Sequence, residues 1–324
     1  MRIPTWRSSL GRLQAYHASR PGLAEALAVW ALFGLVALAV LVSAASVATE
    51  ELYNVGETGI VGGAGRALVF VGYPTAFVAI AILAFSVERL RRRWVVVAAA
   101  VAAVLCATVA WPGVVEQSDL DAKPANAFAG VGVLVAVGLT AYALARGGIG
   151  VVRPFGGRWD VARLVLAVVL LLASIPWILA EVGVKAEDVP GLGAIFMSGE
   201  VLPEPGHPDL IAVHLGHHHG MDGTLLALAA LALSRAFPDV RSRLLRPVLG
   251  FYLSFMLVYG LANALQDFWL EQLVKRGTTS LRIPTLTTPE ASPAWAAMVA
   301  AALLIHFAAR RVVTTLESRG EGVA

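Results

Sequence analysis

The feature that most constrains this chain is a series of apolar blocks. A stretch of about 20 apolar residues, wound as a helix, crosses a hydrocarbon core about 30 Å thick. Eight segments qualify: Leu23–Thr49, Ala67–Val87, Trp94–Val115, Ala127–Ala145, Val161–Val182, Leu210–Leu233, Val248–Glu271 and Pro293–Ala309. Only 15% of the 324 residues are charged, whereas an ordinary soluble domain carries about 25%. The expected fold is an all-α integral membrane protein, a polytopic bundle of about eight transmembrane helices. It reads as a single domain over residues 1–324, with a basic tail at 1–22 and a C-terminal tail at 310–324.

Charge sets the expected direction. Nineteen of the 25 basic residues fall before the first block, after the last, or on the connections 2–3, 4–5 and 6–7, with Arg89, Arg91, Arg92 and Arg93 the densest group. Arg66, Lys123, Lys185, Lys275, Arg276 and Arg282 fall on the other side, with most of the acids. Positive charge stays on the cytoplasmic side, so both termini are expected in the cytoplasm. Ser43-Ala44-Ala45-Ser46-Val47-Ala48 has the small residues of a signal-peptidase site, but the apolar run before it exceeds the 7–15 residues of a signal peptide. The first helix is expected to remain. The expected location is the plasma membrane, multi-pass, with arginine-rich, Ala/Val-rich usage suggesting a bacterium.

The sequence pI of about 9.2 does not indicate nucleic acid, because the basic residues form short clusters between apolar blocks and not one soluble face. The single cysteine, Cys106, excludes an internal disulfide and a thiolate zinc cluster.

Five of the seven histidines lie between positions 207 and 219. If 210–233 is one helix, each residue advances 100°. His214, His217, His218 and Asp222 then share one arc, and His219 falls outside it. Two imidazoles and a carboxylate at i, i+4 and i+8 suit a divalent transition metal: zinc foremost, with copper or iron as alternatives. Gly216, Gly220 and Gly223 fall on the other face, where they permit close helix packing. They also weaken a helix, so a broken turn here is the alternative. Haem is not expected, because the plausible ligands all sit on one helix.

Acidic helix ends converge on the same side. Asp267 and Glu271 end a polar stripe on the seventh block that includes Tyr252, Tyr259, Asn263 and Gln266. Glu181 ends the fifth block after Ser174 and Pro176, and Glu50 ends the first after Ser43 and Ser46. A charge in the bilayer is costly unless paired, and a metal would neutralise several.

His214-Leu215-Gly216-His217-His218 resembles one histidine box of membrane di-iron desaturases, but the other boxes are missing. His218-His219-Gly220-Met221-Asp222-Gly223 is similar to a short stretch of ZIP-type zinc transporters, whose second histidine-rich helix is absent here. Neither resemblance assigns a family.

The expected function is a membrane metalloprotein with its site at the extracytoplasmic end of the sixth helix. It would use metal-activated water on a membrane lipid or amphiphile, with Asp267, Glu271 or Glu181 as base. Alternatively it would handle or transport the ion. A reading from a different class is a non-catalytic subunit whose outer loops bind a membrane or extracytoplasmic partner protein, with the histidines as contacts or pH sensors.

Overall fold

The computed structural model describes residues 22–48, 52, 56, 58–110, 121–185, 189–191, 193, 201, 213–216, 218–283 and 292–318. Among them every regular element is helical. Seven helices are long and apolar enough to cross a membrane, and eight if one bent pair counts as a single span.

The helices are α1 (Ala24–Ser46), α2 (Gly59–Leu90), α3 (Arg93–Ala110), α4 (Pro124–Gly147), α5 (Arg158–Ala173 plus Ile175–Glu181), α6 (His219–Asp239), α7 (Leu245–Val274) and α8 (Pro293–Ser318). α2 packs on α1, α3, α4, α6 and α7, while α6 packs on α1, α2, α5 and α7. These two form the centre: 67% of the apolar stretch of each is buried, against 22% for α1 and 17% for α8. The exposed faces of α1, α3 and α4 carry Leu35, Leu38, Val101, Val104, Phe128 and Leu134, as a lipid-facing surface should.

Two helices depart from regular geometry at a proline. In α2 the segment Val71–Thr75 widens to a π turn around Pro74. Proline has no N–H and crowds the carbonyl four residues back, here that of Phe70. The Thr75 hydroxyl donates to that carbonyl at 3.2 Å. The fifth block, read as one span over 161–182, is instead broken. Its halves meet at Ser174 ahead of Pro176 and bend by 61°. Ser174 and Thr224 hydroxyls, 2.5 Å apart, fasten the bend to α6.

Three expectations need correction. α6 does not start near Leu210: residues 213–216 are irregular, Gly216 has φ +122°, and the helix begins at His219 after an extended His218. The helical angles for His214 therefore do not hold. The glycine-rich stretch Glu50–Arg66, left between the first two blocks and expected as a connection, does not hold Arg66 in a loop. α2 begins at Gly59, and Arg66 lies inside it, 4% exposed. The glycines are packing surface: a Cβ on Gly63 would stand 2.5 Å from the Leu41 carbonyl of α1. Finally, α7 continues past Glu271 to Val274, its last seven residues forming a π turn. Cys106 is buried, and a Cβ on Gly132 of α4 would stand 2.7 Å from its sulfur.

Candidate metal centre

The site forms where the ends of α5, α6 and α7 meet. α6 and α7 are pressed together at glycines. A Cβ on Gly223 would lie 2.5 Å from the Gly260 carbonyl, and one on Gly260 the same distance from that of Gly223. This approach lets the end of α7 lie beside the first turn of α6.

That first turn has exposed N–H donors, as every helix start does. Its N-cap residue, His218, makes no capping bond with its side chain. Asp267 of α7 does so instead, accepting the Gly220 N–H at 2.5 Å. A carboxylate here also opposes the positive end of the helix dipole.

One turn further along α7, Glu271 is buried and has two partners. The His218 ring meets it, Nδ1 to Oε1, at 3.1 Å. The Trp177 indole N–H donates to its other oxygen at 2.6 Å. Trp177 comes from the second half of α5, Ile175–Glu181, and is wholly buried. It lies against Gly220, where a Cβ would stand 2.6 Å from the ring. The bend in α5 is what brings this indole over the site.

The remaining nitrogen of His218, Nε2, donates to the His214 carbonyl at 2.9 Å. The two rings are also adjacent, with centroids 4.8 Å apart. His214, though not helical, is thus brought to His218 by a turn of irregular chain. His218 lies just ahead of α6, outside the span. Burial disfavours its charged form, but the Glu271 carboxylate, helped by Asp267 and the His214 carbonyl, outweighs this and holds its pKa up at about 9.

His218, Asp267 and Glu271 each offer a ligand atom, and these atoms all lie within 4.8 Å of one another. Two donors on one tetrahedral ion, each bound at about 2.0–2.2 Å, lie about 3.3 Å apart. The His218–Glu271 separation is close to that. The Nε2–H bond to a carbonyl is the usual outer partner of a ligating histidine, and it directs the other nitrogen inward.

The other expected residues are distributed around this trio. Asp222 is buried one turn inside α6, and its charge acts on Arg66, Tyr73 and Tyr259. Glu181 is buried, its charge also acts on Arg66, and its carbonyl accepts the Ser43 hydroxyl at 2.8 Å. His219 meets the Tyr73 ring edge-on. His217 and Glu50 lie outside the described residues. The α7 stripe turns toward α2: Tyr252 donates to the Phe77 carbonyl at 2.8 Å, and the hydroxyls of Tyr259 and Tyr73 bond each other. Asn263 donates to the Tyr259 carbonyl of its own helix.

Arg66 and Trp177 escaped the sequence reading. The signal for Arg66 was its position as a lone cation amid small residues on the acid-rich side. For Trp177 it was the proline just before it.

Fold and cluster together define a class: a polytopic protein, all-helical among the described residues, with membrane-length helices and, at one end, a histidine–carboxylate trio in which His218 and Glu271 are buried and Asp267 is half-buried. Comparison of the chain with family models, with curated proteins and with solved structures gave no match.

Proposed function

We propose that this chain is a membrane metalloprotein that binds one divalent transition metal, zinc foremost, through His218, Asp267 and Glu271, with His214 beside them as a fourth donor. The observation that carries the reading is the convergence of the trio, with His218 Nδ1 aimed at Glu271 while Nε2 is anchored on a carbonyl. The metal would replace the proton that Nδ1 and Glu271 share. A bound ion of this kind activates water at neutral pH, and the amphiphiles of the surrounding leaflet are the nearest substrates. Tyr73 meets Phe77 edge-on, and Phe77, Tyr259, Phe255 and Trp295 stack, forming an aromatic layer across the bundle. This layer supports a site served from one face over a conduit for ions.

The distribution of positive charge supports cytoplasmic termini, and hence an extracytoplasmic trio, if the bent α5 makes one crossing. A second reading has its own observation. Both nitrogens of His218 already face acceptors, which also describes a metal-free histidinium–carboxylate pair serving as a pH-sensitive contact for a partner protein.

Metal analysis of the purified protein separates the two. Wild type should retain about one equivalent of metal, and His218→Ala and Glu271→Gln should lose it. If wild type and both variants are equally metal-free after reconstitution with zinc, copper and iron in turn, the metal reading fails.

A further inference from the structure

The face opposite the trio carries a cavity that the metal reading does not use. Arg91, Arg92 and Arg93 mark the turn from α2 to α3, and Arg241 enters from the connection after α6. All four line one cavity of about 480 Å³, a size typical of sites that hold small molecules.

The charge in this cavity is unbalanced. Its one acid, Glu88, is 2% exposed. Glu88 is bonded to the Arg91 guanidinium, and it also accepts the Ser242 N–H at 3.0 Å. Arg91 and the 241–242 backbone thus satisfy this carboxylate. The side chains of Arg92, Arg93 and Arg241 have no hydrogen-bond or ion-pair partner among the described residues. Arg91 is also the single non-glycine residue with positive φ among those described, at +48°. Side chains disfavour that conformation, and here it folds Arg91 back onto Glu88.

The orientation rule accounts for arginines on this face but not for their convergence. Arg146 and Arg158, on the same face, lie over the half-buried ring of Tyr142 and the exposed ring of Trp159. In the cavity, two separate connections aim guanidinium groups at one volume. Its other wall is apolar, formed by Val87, Val96 and Leu245. Forked guanidinium donors match the oxygens of a phosphate, and an apolar wall at the end of membrane-length helices suits the glycerol and upper acyl carbons of a lipid. Basic pockets between membrane helices bind anionic headgroups in this way.

We propose that this cavity binds the phosphate of an anionic phospholipid headgroup. The full chain would be extracted in detergent, mixed with vesicles of phosphatidylcholine and phosphatidylglycerol, and re-purified, and the lipid retained would be quantified. Wild type should retain phosphatidylglycerol in preference to phosphatidylcholine. Arg92→Gln/Arg241→Gln should lose that preference. Arg146→Gln/Arg158→Gln, an equal loss of charge on the same face, should keep it. The single exposed substitution Arg92→Gln, expected to lower retention severalfold, replaces the pair if the pair does not accumulate. Inorganic phosphate, added to lipid-free protein, tests the other source of the same chemistry. A rise in melting temperature that disappears in Arg92→Gln/Arg241→Gln, with no lipid preference, would assign the cavity to free phosphate and overturn the lipid proposal. Equal retention in all three proteins, or equal loss in both pairs, would overturn it as well.

Discussion

His218 faces an acceptor on each side, Glu271 at Nδ1 and the His214 carbonyl at Nε2. That arrangement ties pH behaviour to occupancy. In the metal-free protein the ring has a pKa of about 9, above the ordinary value of about 6.5. The stabilisation it provides is complete below the ordinary value and is lost as pH rises through about 9. Metal-free wild type should therefore melt at a lower temperature at pH 9.5 than at pH 6, and His218→Ala should flatten this difference. Metal binding runs the other way, because a ligating imidazole must be deprotonated. Zinc affinity should fall roughly tenfold for each pH unit below about 9 if one proton is displaced. Titration of the metal at three pH values checks the slope, and an affinity independent of pH contradicts ligation through Nδ1. His219→Ala should leave metal retention intact, since that ring is turned to Tyr73. The histidine run was legible as a ligand source. Which histidine faces the acids was not, because Gly216 takes the chain out of helical geometry and both carboxylates come from another helix, α7.

At the scale of elements, the start of α6 is capped by a neighbour. Asp267 accepts the Gly220 N–H, so Asp267→Ala should cost about 1 kcal/mol, in the range of a lost N-cap. Asp267→Asn, which still accepts a hydrogen bond, should recover part of that. Unfolding in mixed micelles measures both, and identical losses would show that the bond does not contribute to stability. Gly220 is pinned from the other side by Trp177. Gly220→Ala should destabilise by about 1–3 kcal/mol through overpacking, and Trp177→Leu in the same chain should return some of it. Two additive losses would argue against the contact. The apolar blocks announced most of the helices because a long apolar run needs no partner to be recognised. The π turn at Pro74 and the bend before Pro176 were hidden, since a membrane helix tolerates proline wherever neighbours satisfy the freed carbonyl. The glycines before Arg66 read as a loop because the same small residues serve turns and close helix contacts.

For the whole molecule, the arrangement places the trio at one end and the arginine cavity at the other. In a Cys106→Ala background, cysteines at Ser118 and Ser242 should react with a membrane-impermeant reagent from opposite sides. Ser118 should react from outside, and Ser242 only after the membrane is opened. Labelling of both from outside would refute cytoplasmic termini. The bundle as a set of crossings was legible because charge and hydropathy are properties of the chain read in order. The centrality of α2 and α6 was not, since it depends on which faces meet. The trio belongs to the same class: α7 supplies both carboxylates, the N-cap of α6 supplies the histidine, and α5 lays Trp177 over them, an arrangement that is not recognisable until the three helices are packed.

The indole that closes the site also has an optical consequence. Trp177 is one of eight tryptophans, but it is wholly buried and its N–H is held by a carboxylate. Indole emission responds to the charge beside the ring and to nearby water. The emission lost in Trp177→Phe is therefore an internal signal for the state of Glu271. Recorded while zinc is added, that difference spectrum would follow the carboxylate as it exchanges its histidine proton for an ion, without any label attached to the protein.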